Sequence, residues 1–185
     1  MKLRFITGNE NKVKEASERL KELGFEVVQD NMSPPEVQAD TLEDVALFSA
    51  GWVVERSPEP FFLEDAGFFV DYLNGFPGVY SAYVFDTIGY EGILRLLSSE
   101  NERSARFEAV IAYWDGKEFH TFKGVVKGNV SRKPRGENGF GYDPIFVPEG
   151  EERTFAEMSA QEKNSMSHRG RALDKMAEWL KKNSE

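Results

Sequence analysis

The chain has 185 residues, 40% of them hydrophobic and 30% charged, which is the balance of a globular protein rather than a disordered one. It contains no cysteine, which excludes disulfides, thiolate nucleophiles and sulfur-built zinc sites, so a metal would have to be held by oxygen. A net charge of −9 argues against nucleic acid as a partner, because no cluster of basic residues is segregated in the sequence to offset it.

The length suits one domain, residues 1–185, and no compositional break divides it. No apolar run reaches membrane-spanning length, and the start Met1-Lys2-Leu3-Arg4-Phe5 lacks the apolar core of a signal peptide, so no membrane association and a cytoplasmic location are expected.

Lys2 to Thr7 predicts a strand, and Val13, Ala16, Leu20 and Leu23 follow at helical spacing until Gly24 closes the helix. Phe25 to Gln29 predicts a second strand, after which Ser33-Pro34-Pro35 enforces an extended connection carrying Glu36. Thr41 to Asp44 has capping-box spacing ahead of a helix whose buried face is traced by Leu42, Val45, Ala46, Ser49 and Val53. Phe61-Phe62-Leu63 predicts a strand covered on both faces, ending at Glu64-Asp65. A loop at Asn74 to Gly78 and a short helix from Ile88 to Leu97 come next. The alternation from Ala105 to Tyr113, a type I′ turn signal at Asp115-Gly116 and a return over Phe119 to Val126 predict a long hairpin. Ser131 to Asn138 reads as a mobile polar loop, and Ser167 as the N-cap of a final helix with Ala172, Leu173, Met176, Trp179 and Leu180 inward. Strand and helix alternation followed by a hairpin predicts an α/β fold with an elongated mixed sheet flanked by helices.

Three groups of residues suit chemistry. The turn Thr7-Gly8-Asn9-Glu10-Asn11-Lys12 joins a strand to a helix, where free amides and the helix dipole can receive phosphate, although it lacks Walker spacing. Glu36, Glu64 and Asp65 are the oxygen ligands expected to hold Mg²⁺, with Asp65 the foremost because it follows a buried strand. Gly139-Phe140-Gly141-Tyr142-Asp143-Pro144, with Lys163, His168 and Arg169, offers an aromatic face flanked by glycines together with directional donors and an acceptor, which suits a nucleobase. Taken singly, each group is also compatible with an ordinary strand-to-helix connection, a solvated strand end or core aromatics.

Taken in order, Thr7 to Lys12, Leu63-Glu64-Asp65-Ala66-Gly67, Gly75 to Ser81, Gly139 to Pro144 and Glu162-Lys163-Asn164 with Ser167 to Leu173 resemble the inosine-triphosphate pyrophosphatase family over nearly the whole chain. The resemblance implies an elongated mixed sheet with two lobes around a central cleft, a homodimer, and hydrolysis of non-standard purine nucleoside triphosphates (ITP, dITP, XTP) to the monophosphate and pyrophosphate. It assigns Thr7, Asn9 and Lys12 to phosphate, Glu36 and Asp65 to the metal with Asp65 as proton acceptor, Glu64 as a helper, and Phe140 as a stacking platform. Gly141, Tyr142 and Asp143 complete the base-side motif, and Lys163, His168 and Arg169 contact the purine. Ser49, Ala66 and Tyr83 stand where relatives commonly carry a lysine, a small hydroxyl residue and an arginine, which leaves more of the phosphate charge to the metal and Lys12. Two further readings are a pyrophosphatase for other modified nucleotides and a nucleotide-binding regulator without turnover.

Overall fold

In the structure, a computed structural model that describes residues 1–183, strand β1 (Lys2–Ile6) runs into helix α1 (Glu10–Glu22), and β2 (Glu26–Asp30) returns parallel to β1. Asn9 caps α1, its side chain accepting from the amides of Asn11 and Lys12, and Gly24 at φ +91° carries the chain out. Thr41 caps α2 (Leu42–Val54) by accepting from the Asp44 amide, as its sequence predicts.

Strand β3 (Phe61–Val70) is longer than expected. It continues through Glu64-Asp65 because Phe61 to Val70 pair residue for residue with β5 (Ser104–Trp114), so the acidic pair sits mid-strand rather than at a strand end. The two-residue β4 (Pro77–Gly78) pairs with its far half. Helix α3 (Ser81–Leu96) begins seven residues before the expected helix, because a bend at Gly89, φ +64° and ψ −174°, allows two helical segments to run on from one another.

β5 pairs antiparallel with β6 (Phe119–Val130), confirming the hairpin. Its connection is the four residues 115–118 rather than a two-residue turn, with the Asp115 carboxylate accepting from the amides of Lys117 and Glu118. The polar segment after β6 is anchored, not loose. Ser131 and Arg135 donate backbone bonds to Ile145 and Pro144, and Asn138 holds Ala156 with its amide and Met158 with its side chain. β7 (Phe146–Pro148) pairs with the end of β6, and the short helix α4 (Ala160–Met166), absent from the sequence prediction, leads into α5 (His168–Asn183). Ser167 separates the two and caps α5 by accepting from the Gly170 amide.

The sheet order is β2-β1-β3-β5-β6-β7, with β4 paired to β3, giving a seven-stranded mixed α/β architecture. Because successive strand residues face opposite ways, Phe62 packs into a core with residues of α1 and α5, whereas Phe61 and Leu63 pack into another with residues of α2. Further along β3, Phe68 joins a third core with Phe107, Phe146, Phe155 and Ile93. α5 lies so close to β6 at Gly124 that a Cβ there would collide with the His168 carbonyl.

Candidate active site

The side chains of Glu64 and Asp65 leave β3 on opposite faces. Asp65 lines two adjoining cavities. The larger, about 410 Å³, is bordered by Asn9, Asn11 and Lys12 from the α1 turn, by Ala66, by Phe140, Gly141, Tyr142 and Asp143, and by Lys163, His168 and Arg169. The smaller, about 220 Å³, is bordered by Thr7, Gly8, Glu36, Ser49, Glu64 and Asp65. Of the residues singled out in the sequence, Glu10, Gly139, Pro144 and Tyr83 border neither cavity; Glu10 is exposed at the first position of α1.

Around the larger cavity the charges are closed on one another. Lys163 Nζ donates to Glu15 Oε1 at 2.7 Å and to Asp143 Oδ2 at 2.6 Å. Arg169 Nη1 donates to Glu15, while its Nε and Nη2 reach the two Glu64 oxygens at 2.6 and 3.2 Å. Asp143 Oδ2 also accepts from the Phe140 amide at 2.8 Å, which pins the aromatic turn. Gly139, at φ +73°, lets that turn close, since a Cβ there would strike the Asp143 carboxylate. The Phe140 ring lies 4.8 Å from the Lys163 ammonium and 5.6 Å from the Arg169 guanidinium. These bonds leave one ammonium N–H and two guanidinium N–H groups available to a ligand.

Burial pushes the Glu15 and Glu64 carboxyls upward, but Arg169 with Lys163 for Glu15, and with Lys12 for Glu64, overcomes this and holds both below the usual carboxylate range. Burial wins at Asp143, which is raised despite Lys163. His168 is pushed well below the ordinary histidine range by burial, with Arg169, Lys163 and Lys12 adding to the effect, so its ring is neutral. It stacks on Phe107 at 4.7 Å with 9° between planes, and its buried Nδ1 has no hydrogen-bond partner.

Asp65 differs from these paired groups. Its Oδ2 is buried without a partner, and burial raises the carboxyl to about 6, Lys12 opposing the rise and Glu64 and Glu36 adding to it. A carboxylate left short of a partner beside a second acid is a donor set that a hard divalent cation satisfies, so these residues fit one. Asp115, Glu118 and His120 also bring potential ligand atoms within 4.8 Å of one another, but they stand at the hairpin turn and border neither cavity.

The Ham1 family profile matches residues 3–179, almost the full length. The chain belongs to the Ham1 family. A relative from Thermococcus kodakarensis, named dITP/XTP pyrophosphatase, is 58% identical over 183 residues, covering 99% of both chains. A second of that name, from Pyrococcus horikoshii, is 52% identical over 184 residues, covering 99% of this chain and 98% of its own. Among solved structures, a HAM1 protein from Coxiella burnetii matches with a TM-score of 0.85 at 31% identity, covering 98% of this chain and 99% of that one. The Ham1 protein of Staphylococcus aureus matches at 0.84 with 28% identity, covering 98% of each. The family resemblance carried by the motifs and the mixed-sheet expectation both agree with these matches.

Sequence reasoning missed Glu15, which bridges Lys163 and Arg169. No sequence signal marked it: Glu15 stands about 100° round α1 from Ala16, off the apolar stripe of Val13, Ala16, Leu20 and Leu23, and its burial shows only in the folded structure. Phe85 and Asp86 of α3 and Phe107 of β5 also border the larger cavity without having been foreseen, beside Ser81 at the end of the Gly75 to Ser81 motif.

Proposed function

We propose that this protein, acting as a single domain over residues 1–185, hydrolyses ITP, dITP and XTP to the monophosphate and pyrophosphate, cleansing the nucleotide pool of non-standard purines. The reading further takes it to be Mg²⁺-dependent, cytoplasmic and homodimeric. No helix among the described residues is long and apolar enough to cross a membrane, in keeping with a substrate in solution. The names of its relatives and the family membership support the reaction. The observation that carries it is the placement of Asp65 where the aromatic, donor-lined cavity meets the acid-lined pocket. A nucleotide with its base against Phe140 and its phosphates toward the α1 turn would bring the inner phosphoanhydride to that junction.

At the base end, the remaining N–H groups of Lys163 and Arg169 suit the C6 carbonyl of hypoxanthine or xanthine. Adenine would meet those donors with its amino group, and a site built for hydrogen bonding rejects such a mismatch strongly. Neutral His168 can donate or accept toward the ring. At the other end, the Gly8 and Glu10 amides, which are not spent on Asp30 or on the Thr7 and Asn9 side chains as the other turn amides are, and the α1 dipole receive the outer phosphates, with Lys12 adding charge. Asp65 with Glu36 would hold Mg²⁺, which when bound neutralises phosphoryl oxygens and stabilises the pyrophosphate leaving group. Asp65, its carboxyl raised toward neutrality, can orient a water and accept its proton at Oδ2.

Pyrophosphate release from a panel of nucleoside triphosphates, with Mg²⁺ and with chelator, tests the proposal. Metal-dependent release from ITP and XTP in clear excess over ATP is expected. Equal hydrolysis of ATP and ITP would overturn the base assignment, and binding without product would leave a regulator.

A further inference from the structure

Glu64 was expected as a helper at the metal, yet the structure engages it elsewhere. Its side chain is 1% exposed, and both carboxylate oxygens accept from Arg169, at 2.6 and 3.2 Å. Lys12 grips the same residue from the other side, donating from Nζ to the Glu64 carbonyl at 2.9 Å and standing 3.9 Å from Oε1. Drawing the carboxylate toward a cation would strip the buried Arg169 of its two-pronged partner.

We propose that Glu64 is a positioning residue that couples base recognition to phosphate binding, and is not a metal ligand. The inference rests on the nucleotide orientation given above, with the base at Phe140 and the phosphates at the α1 turn. From Glu64 the charged contacts run without a gap through Arg169 to Glu15, from Glu15 to Lys163, from Lys163 to Asp143, and from Asp143 to the Phe140 amide. Lys12, Lys163 and Arg169 balance Glu15, Glu64 and Asp143, so a cation drawn out at one end changes what the rest of the set must satisfy. When phosphates attract Lys12, its hold on Glu64 weakens, and the carboxylate turns wholly to Arg169, a donor bordering the base cavity. Linkage requires the reverse as well: a base that orders Arg169 improves the phosphate end.

The test uses the full chain with three substitutions. Glu64→Asp keeps the charge but is one methylene too short to span to Arg169 unchanged; Glu64→Gln removes the charge; Lys12→Met severs the other grip at a partly exposed side chain, so the proposal stays falsifiable if either Glu64 variant misfolds. Mn²⁺ affinity of the nucleotide-free protein, followed by electron paramagnetic resonance, is expected to stay within about twofold of wild type in both Glu64 variants. The ratio of kcat/KM for ITP to that for ATP is expected to fall by about fivefold or more in the Glu64 variants and also in Lys12→Met, although ITP and ATP carry the same phosphates. A loss of about tenfold or more in Mn²⁺ affinity with the ITP to ATP ratio intact would give Glu64 a part in holding the metal, as a ligand or as a support to one, and overturn the proposal. Equal loss of ITP and ATP turnover in Lys12→Met would overturn the coupling alone, whereas a wild type that releases no pyrophosphate from ITP would overturn the reading of function beneath it.

Discussion

Under the proposed nucleotide orientation, the two ends of the cleft, one for the base and one for the phosphates, solve opposite problems. At the base end, Lys163, Arg169, Glu15, Glu64 and Asp143 satisfy one another, Lys163 meeting Asp143 and Arg169 meeting Glu64 at 2.6 Å, and three of these five have side chains no more than 3% exposed. At the phosphate end, Asp65 holds a buried oxygen with no partner, and Glu36 is exposed. A closed set of charges is rigid before ligand arrives and presents its few remaining donors in fixed directions, which favours discrimination. An open carboxylate stores an unmet electrostatic demand that a cation can answer. On the proposed function, the contrast divides selection and chemistry between a prepaired shell and an unpaired group, one residue apart on β3.

The sharpest way to break this comparison is Asp65→Asn. Turnover of ITP should fall by about 10²–10⁴-fold, measured as pyrophosphate release at saturating Mg²⁺; near-wild-type turnover would remove Asp65 from the chemistry.

On the closed side, Arg169→Met leaves Glu15 and Glu64 buried with half their compensation gone. Urea unfolding should then show a loss of about 3–5 kcal/mol, and a loss below about 1 kcal/mol, as for a surface pair, would show the set to be far less interdependent than its geometry implies.

The pH dependence of stability separates the ends by sign. The Asp65 carboxyl is raised from 3.8 to about 6, so its stabilising contribution is complete below the unfolded value and is lost as pH climbs through 6. In chelator, the stability advantage of Asp65→Asn over wild type should therefore be near zero at pH 4 and grow to about 1–3 kcal/mol by pH 7. Glu15 and Glu64 are lowered, so theirs is present above about 4.5 and lost as pH falls through their folded values, which predicts acid denaturation starting at the base end. Hydrogen exchange at the α5 and α1 amides below pH 4 measures it. Adding Mg²⁺ at 100 times its dissociation constant should stabilise wild type by about 2.7 kcal/mol and leave Asp65→Asn nearly unmoved, read by thermal unfolding.

The smallest effect is expected at the turn. Asn9→Ala removes the cap from α1, costing about 1 kcal/mol by urea unfolding, with a weaker hold on phosphate seen as a raised KM for ITP and XTP alike.

Much of this architecture was legible because it is local. Thr41 and Ser167 act as caps where their letters stand, and the alternation from Ala105 to Tyr113 became β5. What escaped was non-local. Nothing near Glu64-Asp65 announces that β3 continues, since that follows from pairing with β5 about forty residues away in the chain, a partner that satisfies backbone groups whatever the side chains. The segment after β6 reads as loose because it is polar, yet its polar groups are spent on Ile145, Pro144, Ala156 and Met158. The site shows the same divide. The motif letters identify Asp65, Phe140, Lys163, His168 and Arg169 as neighbours of one cavity, but that Lys163 and Arg169 face carboxylates more than a ligand depends on Glu15, which helix packing delivers.

One contact behind the wall of the larger cavity, between the hairpin and α5, has an unexpected reach. Because the first turn of α5 rests its His168 carbonyl on Gly124, the depth at which the helix seats is set by a hairpin residue with no side chain. Enlarging that position by a single methyl would lift His168 and Arg169 together, so variants with relaxed substrate choice should surface in the hairpin, and a selection for altered fidelity that randomises only the cavity wall would overlook them.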